Sequence, residues 1–91
     1  MQFTWDATKA QSNFEKHNVR FEAAVEIFRD PDIVTVIDER FDYGEARLVS
    51  FGLVGVRMHT VVHVTDVAQQ TVRIISARKS NKRERKRYGT G

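Results

Sequence analysis

Val56-Arg57-Met58-His59-Thr60-Val61-Val62-His63-Val64 is the most regular stretch of the chain. Val56, Met58, Thr60, Val62 and Val64 fall on one side of an extended backbone, and Arg57, His59, Val61 and His63 on the other. That is the period of two of a β-strand. The first set reads as the core side; the second presents a cation and two imidazoles to whatever lies in front. Just before it, Gly52-Leu53-Val54-Gly55 reads as a hairpin turn with a glycine at each end, fed by a strand over residues 46–51. After a polar turn around residues 66–70, residues 71–78 form a nearly all-apolar strand, read as central. Further upstream, Ile33-Val34-Thr35-Val36-Ile37 is β-branched throughout and reads as another strand, followed by a polar stretch from Asp38 to Glu45.

The period changes to 3.6 towards the N-terminus. Phe3-Thr4-Trp5 reads as a short strand, and Asp6 is a good cap for a helix carrying Ala7, Ala10 and Phe14 on one face. That helix stops at His17-Asn18, because Asn tolerates the left-handed conformation of a helix end. Phe21, Ala24, Val25 and Phe28 follow the spacing of a second helix, with Arg20 a poor cap and Pro31 terminating it through Asp30. At the other end, Asn81 with Glu84 three residues later is a capping box that opens a short helix ending near Tyr88-Gly89. Gly89-Thr90-Gly91 is expected to fray. The order is β-α-α-β-β-β-β-α, an α+β arrangement within residues 1–91 as one domain. Two helices cover one face of a mostly antiparallel sheet, and the other face is open or half covered by the last helix.

Ninety-one residues support one modest core, and 41% apolar with 30% charged residues is ordinary for a globular protein. With no cysteine, a disulfide scaffold, a thiolate zinc site and a cysteine nucleophile are excluded. No apolar run approaches the roughly 20 residues of a membrane span, and the N-terminus lacks the pattern of a secretory signal, so a cytoplasmic location is expected. Charge is segregated. Residues 1–72 hold 7 basic and 11 acidic side chains, net −4, whereas residues 73–91 hold 8 basic against Glu84 alone, net +7. Such a basic end suits a polyanion, nucleic acid first, or else a solvated tail that aids solubility or docks an acidic protein.

No glycine-rich phosphate loop occurs, and no metal or other cofactor is expected. His59 and His63, four apart on a strand, stand roughly 13 Å apart by strand rise, too far to share one ion. The residue types that remain suit metal-free phosphoester chemistry on RNA, in which a ribose 2′-hydroxyl attacks its own phosphate. That needs groups to move protons and cations to hold charge. Arg57, His59, His63, Arg78, Glu84 and Tyr88 supply both. Each has a plainer reading. Glu84 also completes the capping box, Tyr88 also staples the last helix, the histidines also suit a solvated strand, and His17 also caps a helix C-terminus. Trp5 stacks on a base or packs in the core. Arg78, a strand-end guanidinium beside the last helix, is the best phosphate fork.

Several segments together resemble the BrnT family of toxins. Phe3-Thr4-Trp5-Asp6, Lys9, Asn13 and Lys16-His17-Asn18-Val19-Arg20-Phe21-Glu22-Ala23-Ala24 are similar to its opening, and Gly44-Glu45-Ala46-Arg47 to its centre. Arg73-Ile74-Ile75-Ser76-Ala77-Arg78, then Arg83-Glu84 and Tyr88, are similar to its ending. The resemblance implies a RelE-like fold, a ribonuclease that shuts down translation, and a type II toxin–antitoxin pair. Its implied partner is a BrnA-like, DNA-binding antitoxin that joins it in a 2:2 complex and represses their operon at its operator. The substrate is RNA, on or near the ribosome. Arg47, Arg78, Glu84 and Tyr88 are then expected to be catalytic. Lys9, Lys16, His17, Arg57, His59, His63, Arg73, Lys79, Lys82 and Arg83 are expected to contact RNA. Asn18 stands where the family has glycine, Arg20 where it has a Ser/Thr cap, and His59 and His63 where it is apolar or aromatic; the histidines are therefore RNA contacts rather than catalysts. The competing expectation is a non-catalytic basic module that docks an acidic protein or DNA.

Overall fold

A computed structural model describes residues 1–39 and 44–88. Part of the polar stretch after Asp38, and the Gly89-Thr90-Gly91 tail, lie outside the described residues. Strand β1 (Gln2–Thr4) leads into helix α1 (Ala7–His17), then α2 (Phe21–Ala24) with a 3-10 extension (Val25–Arg29). Strands β2 (Val34–Ile37), β3 (Leu48–Val54), β4 (Arg57–Asp66) and β5 (Thr71–Lys79) follow, and helix α3 (Lys82–Arg87) closes the order. The sheet runs β1-β5-β4-β3-β2, with β1 parallel to β5 and every other pair antiparallel. The fold is α+β as expected, with a mixed sheet.

The helix ends follow local chemistry. Asp6 accepts from the Lys9 amide at 3.0 Å, and Asn18 closes α1 in the left-handed region at φ 57°. Arg20 makes no side-chain cap. The second helix tightens after one turn into 3-10 geometry, as helix ends often do, and Asp30 leaves it extended ahead of Pro31. The buried contacts on this segment come from Phe21, Ala24 and Ile27.

Three readings of the sheet change. The hairpin turn is Gly55-Val56, since Val54 pairs with Arg57 and Gly55 sits at φ 60°; Gly52 lies inside β3. A Cβ on Gly52 would stand 2.9 Å from the Ile27 Cβ, so the absent side chain lets the 3-10 segment press onto the sheet. The central strand is β4, and β5 lies between it and β1.

The third change concerns His59 and His63, expected on a solvent-facing side and found only 8% and 3% exposed. Gly52 opposes His59, and Gly52 faces Ile27, so His59, Val61 and His63 point to the helices. His63 packs edge-on against Phe28 at 5.0 Å, and its Nε2 lies 2.7 Å from Ser50 Oγ, which in turn meets Thr35 Oγ1 at 2.7 Å. His59 Nδ1 bonds the Arg57 carbonyl at 3.0 Å. Both rings are structural neighbours of the core and face away from solvent. Valines stand on both sides of β4, so apolar content alone did not say which side the helices cover.

The core of Val19, Phe21, Ala24, Ile27, Val61, Val72, Ile74 and Ala77 lies on this helix face, with Trp5 edge-on to Phe21 at 5.9 Å. Strand β1 reaches only Arg73 on β5. Beyond it, buried Asn13 of α1 takes over: its Oδ1 accepts from the Ala77 amide at 3.0 Å, and its Nδ2 donates to the carbonyls of Ala77 (2.8 Å) and Val19 (3.0 Å).

Asn13→Ala orphans three buried backbone groups and is expected to cost about 3 kcal/mol in urea unfolding; a loss below ~1 kcal/mol would show that the bonds are dispensable. Burial pushes His63 down to about 4 from 6.5. Its unfolded form therefore takes up a proton first as pH falls from 6.5 towards 4, and stability drops over that window by about 3 kcal/mol. In His63→Gln that component of the stability difference between pH 7 and pH 4 should vanish, with the acid loss due to carboxylates left in place.

A candidate functional groove on the open face of the sheet

The face away from the core helices carries Val36, Val49, Phe51, Thr60 and Val62, which line a groove of about 640 Å³. Arg78, Glu84, Arg83 and Arg87 line it from the C-terminal side, and Asp38 and Glu39 from the end of β2. The sequence placed Val62 and Thr60 in the core. They belong instead to the apolar floor of a site walled by arginines on the α3 side and by carboxylates at the end of β2. Helix α3 half covers this face, and Arg87 stacks its guanidinium 5.8 Å from the Phe51 ring centre.

Arg78 and Glu84 form the head of the groove. Arg78 opposes Thr60 in the β4–β5 register, and Glu84 arrives from the first turn of α3. The two Arg78 amino groups donate to the two Glu84 oxygens, each at 2.8 Å, in a parallel fork. Glu84 Oε1 also accepts from the Asn81 amide at 2.9 Å and from Thr60 Oγ1 at 3.0 Å. Thr60 meets Ser80 Oγ at 2.7 Å, with both residues buried. Burial raises the Glu84 carboxyl, but bonds from Arg78, Asn81 and Thr60 together with the Arg78 charge hold it below its ordinary value. Glu84 thus completes the capping box, its plainer reading, and in addition clamps Arg78. The Arg78 side chain remains 38% exposed. Thr60 and Ser80 were absent from the expected site residues; inside an apolar strand, a threonine and a serine gave no chemical signal of their own.

The other expected residues are spread. Arg47 and Arg73 meet at Glu45, which takes both bonds of Arg73 at 2.7 and 2.8 Å and lies 3.6 Å from Arg47 Nε. Strand rise over residues 73–78 separates this group from Arg78 by roughly 16 Å. Tyr88 donates to Asp30 Oδ2, an oxygen that also accepts from the Leu53 amide at 2.9 Å. The bond to Asp30 pushes the Tyr88 hydroxyl up to about 12, so Tyr88 staples the end of α3 to the loop after the second helix. Lys9, Lys16 and His17 are exposed on α1, on the helix side of the sheet. Lys82 and Arg83 are exposed on α3, and Arg57 and Lys79 lie exposed at the end of the sheet, outside the groove.

Among the described residues no three His, Asp or Glu side chains gather as a metal-ion site, and no helix is long and apolar enough to cross a membrane. A family model described as a ribonuclease toxin, BrnT, of type II toxin–antitoxin systems matches residues 5–84, most of the chain. No curated protein matches it.

Glu84→Gln keeps the reach to the Asn81 amide and loses the ionic fork. With Arg78 more than a third exposed, this should cost about 1 kcal/mol in denaturant unfolding. Glu84→Ala loses both and should cost about 2 kcal/mol. Equal losses for the two variants would mean that the cap contributes nothing.

Proposed function

The chain belongs to the BrnT family of ribonuclease toxins of type II toxin–antitoxin systems, and from that premise we propose that it is a metal-independent endoribonuclease with Arg78 at the scissile phosphate. The observation that carries this reading is the Arg78–Glu84 fork at the head of the groove. A guanidinium is costly to order and charged at every working pH. Here it is held by two parallel bonds while its side chain stays 38% exposed beside an apolar floor. Preorganised donors of this kind stabilise charge that develops on a phosphoryl group.

In the reaction, the ribose 2′-oxygen attacks the adjacent phosphorus as its proton passes to solvent water. A new P–O2′ bond forms, the P–O5′ bond breaks, and the departing 5′-oxygen takes up a proton from water. The products are a 2′,3′-cyclic phosphate and a 5′-hydroxyl. Arg78 stabilises the charge on the non-bridging oxygens. Glu84 is engaged by four bonds, and a carboxylate so held is a weak base, so its role is to position Arg78. Tyr88, donating to Asp30, fixes α3 rather than moving a proton. Arg83 and Arg87, which line the groove, hold the RNA backbone.

A toxin of this class has an RNA substrate and a cognate antitoxin. We take the antitoxin to be BrnA-like and DNA-binding, assembled with the toxin as two copies of each, and repressing the shared operon. It silences the toxin by covering α3 and the open face. The target is mRNA in the cytoplasm, and the outcome is arrest of translation. The support for these statements is the family membership and the concentration of positive charge after residue 72.

The test is cleavage of an end-labelled RNA by the partner-free protein in EDTA, with the new ends typed chemically. Wild type should leave 2′,3′-cyclic phosphate ends, and Arg78→Ala should lose about 100-fold or more in rate. A folded Arg78→Ala protein with the wild-type rate would remove Arg78 from the site. RNA left intact by wild type, both free and on translating ribosomes, would favour the non-catalytic binding module.

A further inference from the structure

A second cavity, of about 350 Å³, lies at the end of the sheet beyond Ser80 and is lined by Val56, Arg57, Met58, Lys79, Ser80 and Arg85. Three of these six residues are cations and none is acidic. Their convergence is built into the fold. His59 opposes Lys79, and the Ser80 amide continues the ladder to the Met58 carbonyl at 3.0 Å, so Arg57 and Lys79 are diagonal neighbours on one face. Helix α3 brings the third cation, and Arg85 Nη1 is anchored on the Ser80 carbonyl at 2.9 Å.

Arg73 and Arg47 share Glu45, and Arg78 has Glu84. In the second cavity like charges converge with no carboxylate in the lining, an arrangement that repels itself until an anion enters. Ser80 is also the wall between the two sites. Its hydroxyl bonds Thr60, which bonds Glu84 in the groove, while its carbonyl holds Arg85 in the cavity.

We propose that Arg57, Lys79 and Arg85 form a second phosphate subsite, which takes a backbone phosphodiester of the RNA strand neighbouring the one at Arg78. The subsite deepens the ribonuclease reading and rests on it. Two guanidinium forks and an ammonium suit phosphate oxygens, and the shared wall at Ser80 makes the two occupants neighbours along one strand. An acidic segment of the antitoxin is the competing occupant. It is disfavoured because a continuous strand spans the wall between the sites with phosphate at every nucleotide.

The experiment measures binding of the full chain to a single-stranded oligonucleotide with 2′-deoxyribose at every position, which cannot be cleaved, across about 50–300 mM salt. Each phosphate contact on a single strand contributes about 0.7 to the slope of log affinity against log salt. The Arg57→Gln/Lys79→Gln double variant should therefore flatten the slope by about 0.7, the share of the one phosphate the subsite takes, and weaken binding about fivefold near 0.1 M salt. The exchange Arg57→Lys/Lys79→Arg, which keeps both charges, should restore the slope. In cleavage of the ribose form, the glutamine pair should raise KM far more than it changes kcat. An unchanged slope in the glutamine variant overturns the subsite, and so does an unchanged slope with weakened antitoxin binding, which assigns the cavity to the protein partner. No binding by wild type also overturns it. Salt-dependent binding with flattening in the variant, but no cleavage by wild type, sinks the ribonuclease reading and leaves the phosphate subsite standing.

Discussion

The Asn13 side chain does for the far half of β5 what a neighbouring strand would have done. Strand β1 is three residues long and stops at Arg73, which leaves the backbone of residues 74–79 without a strand on that side. One amide side chain accepts from the Ala77 amide, donates to its carbonyl and reaches Val19 as well. A helix that merely packed on the sheet could slide. One that is bonded to a strand edge cannot, because any shift leaves buried backbone groups without partners. The Val19 bond then fixes the link to the second helix. Both helices are thereby committed to one face and to the β5 edge, and the opposite face stays open.

Close approach on the helix face has a counterpart on the open one. Ile27 is fully buried where Gly52 leaves room for it, and Ser50, the next residue on that face of β3, is small enough to receive His63. Gly52, Ser50 and His63 therefore sit under the helices beside the apolar core, while Val36, Val49, Phe51 and Val62 sit on the other side. Apolar residues thus occupy both faces of the sheet, and those on the open face have a physical use. An apolar floor lowers the local dielectric under the guanidinium groups of Arg78, Arg83 and Arg87, so an anion lying on it feels them more strongly than it would over a hydrated surface.

That sharing of apolar residues between the two faces marks the boundary of what the sequence disclosed. Helix ends were legible, because Asp6, Asn18, Pro31 and the Asn81–Glu84 box act on their own neighbours, and each acts in the structure as its chemistry dictates. Strand positions were legible from β-branched runs and period-two alternation. The side each strand turned to the core was not. Both sides of β4 carry valines, and the deciding residue, Gly52, read as part of a turn. The Arg78–Glu84 pair was visible as two residue types near each other. Thr60 and Ser80, which complete it, were hidden, because a buried hydroxyl is informative only once its partner is known. Tyr88 lies between these cases: its role as a staple for the last helix was read from the sequence, but its partner Asp30, 58 positions away, is one no local pattern reports.

The Arg78–Glu84 fork also has to be reconciled with binding an anion, since a guanidinium already paired with a carboxylate offers less to a phosphate. Stability does not explain the pair, because an ion pair this exposed adds little to folding. Geometry does. An unpaired arginine at a strand end samples many rotamers, and ordering it on substrate would draw on binding energy that could otherwise stabilise the transition state. Glu84 is itself held by the Asn81 amide and by Thr60, so the fork does not swing. Two of the five guanidinium N–H donors serve this clamp. The cost is one negative charge beside the proposed phosphate site. It is offset by the basic residues that surround it on α3, where Arg83, Arg85 and Arg87 crowd the same short helix. A strongly basic C-terminal segment is thus the electrostatic complement of a positioned arginine, which accounts for the charge asymmetry with which the chain presents itself.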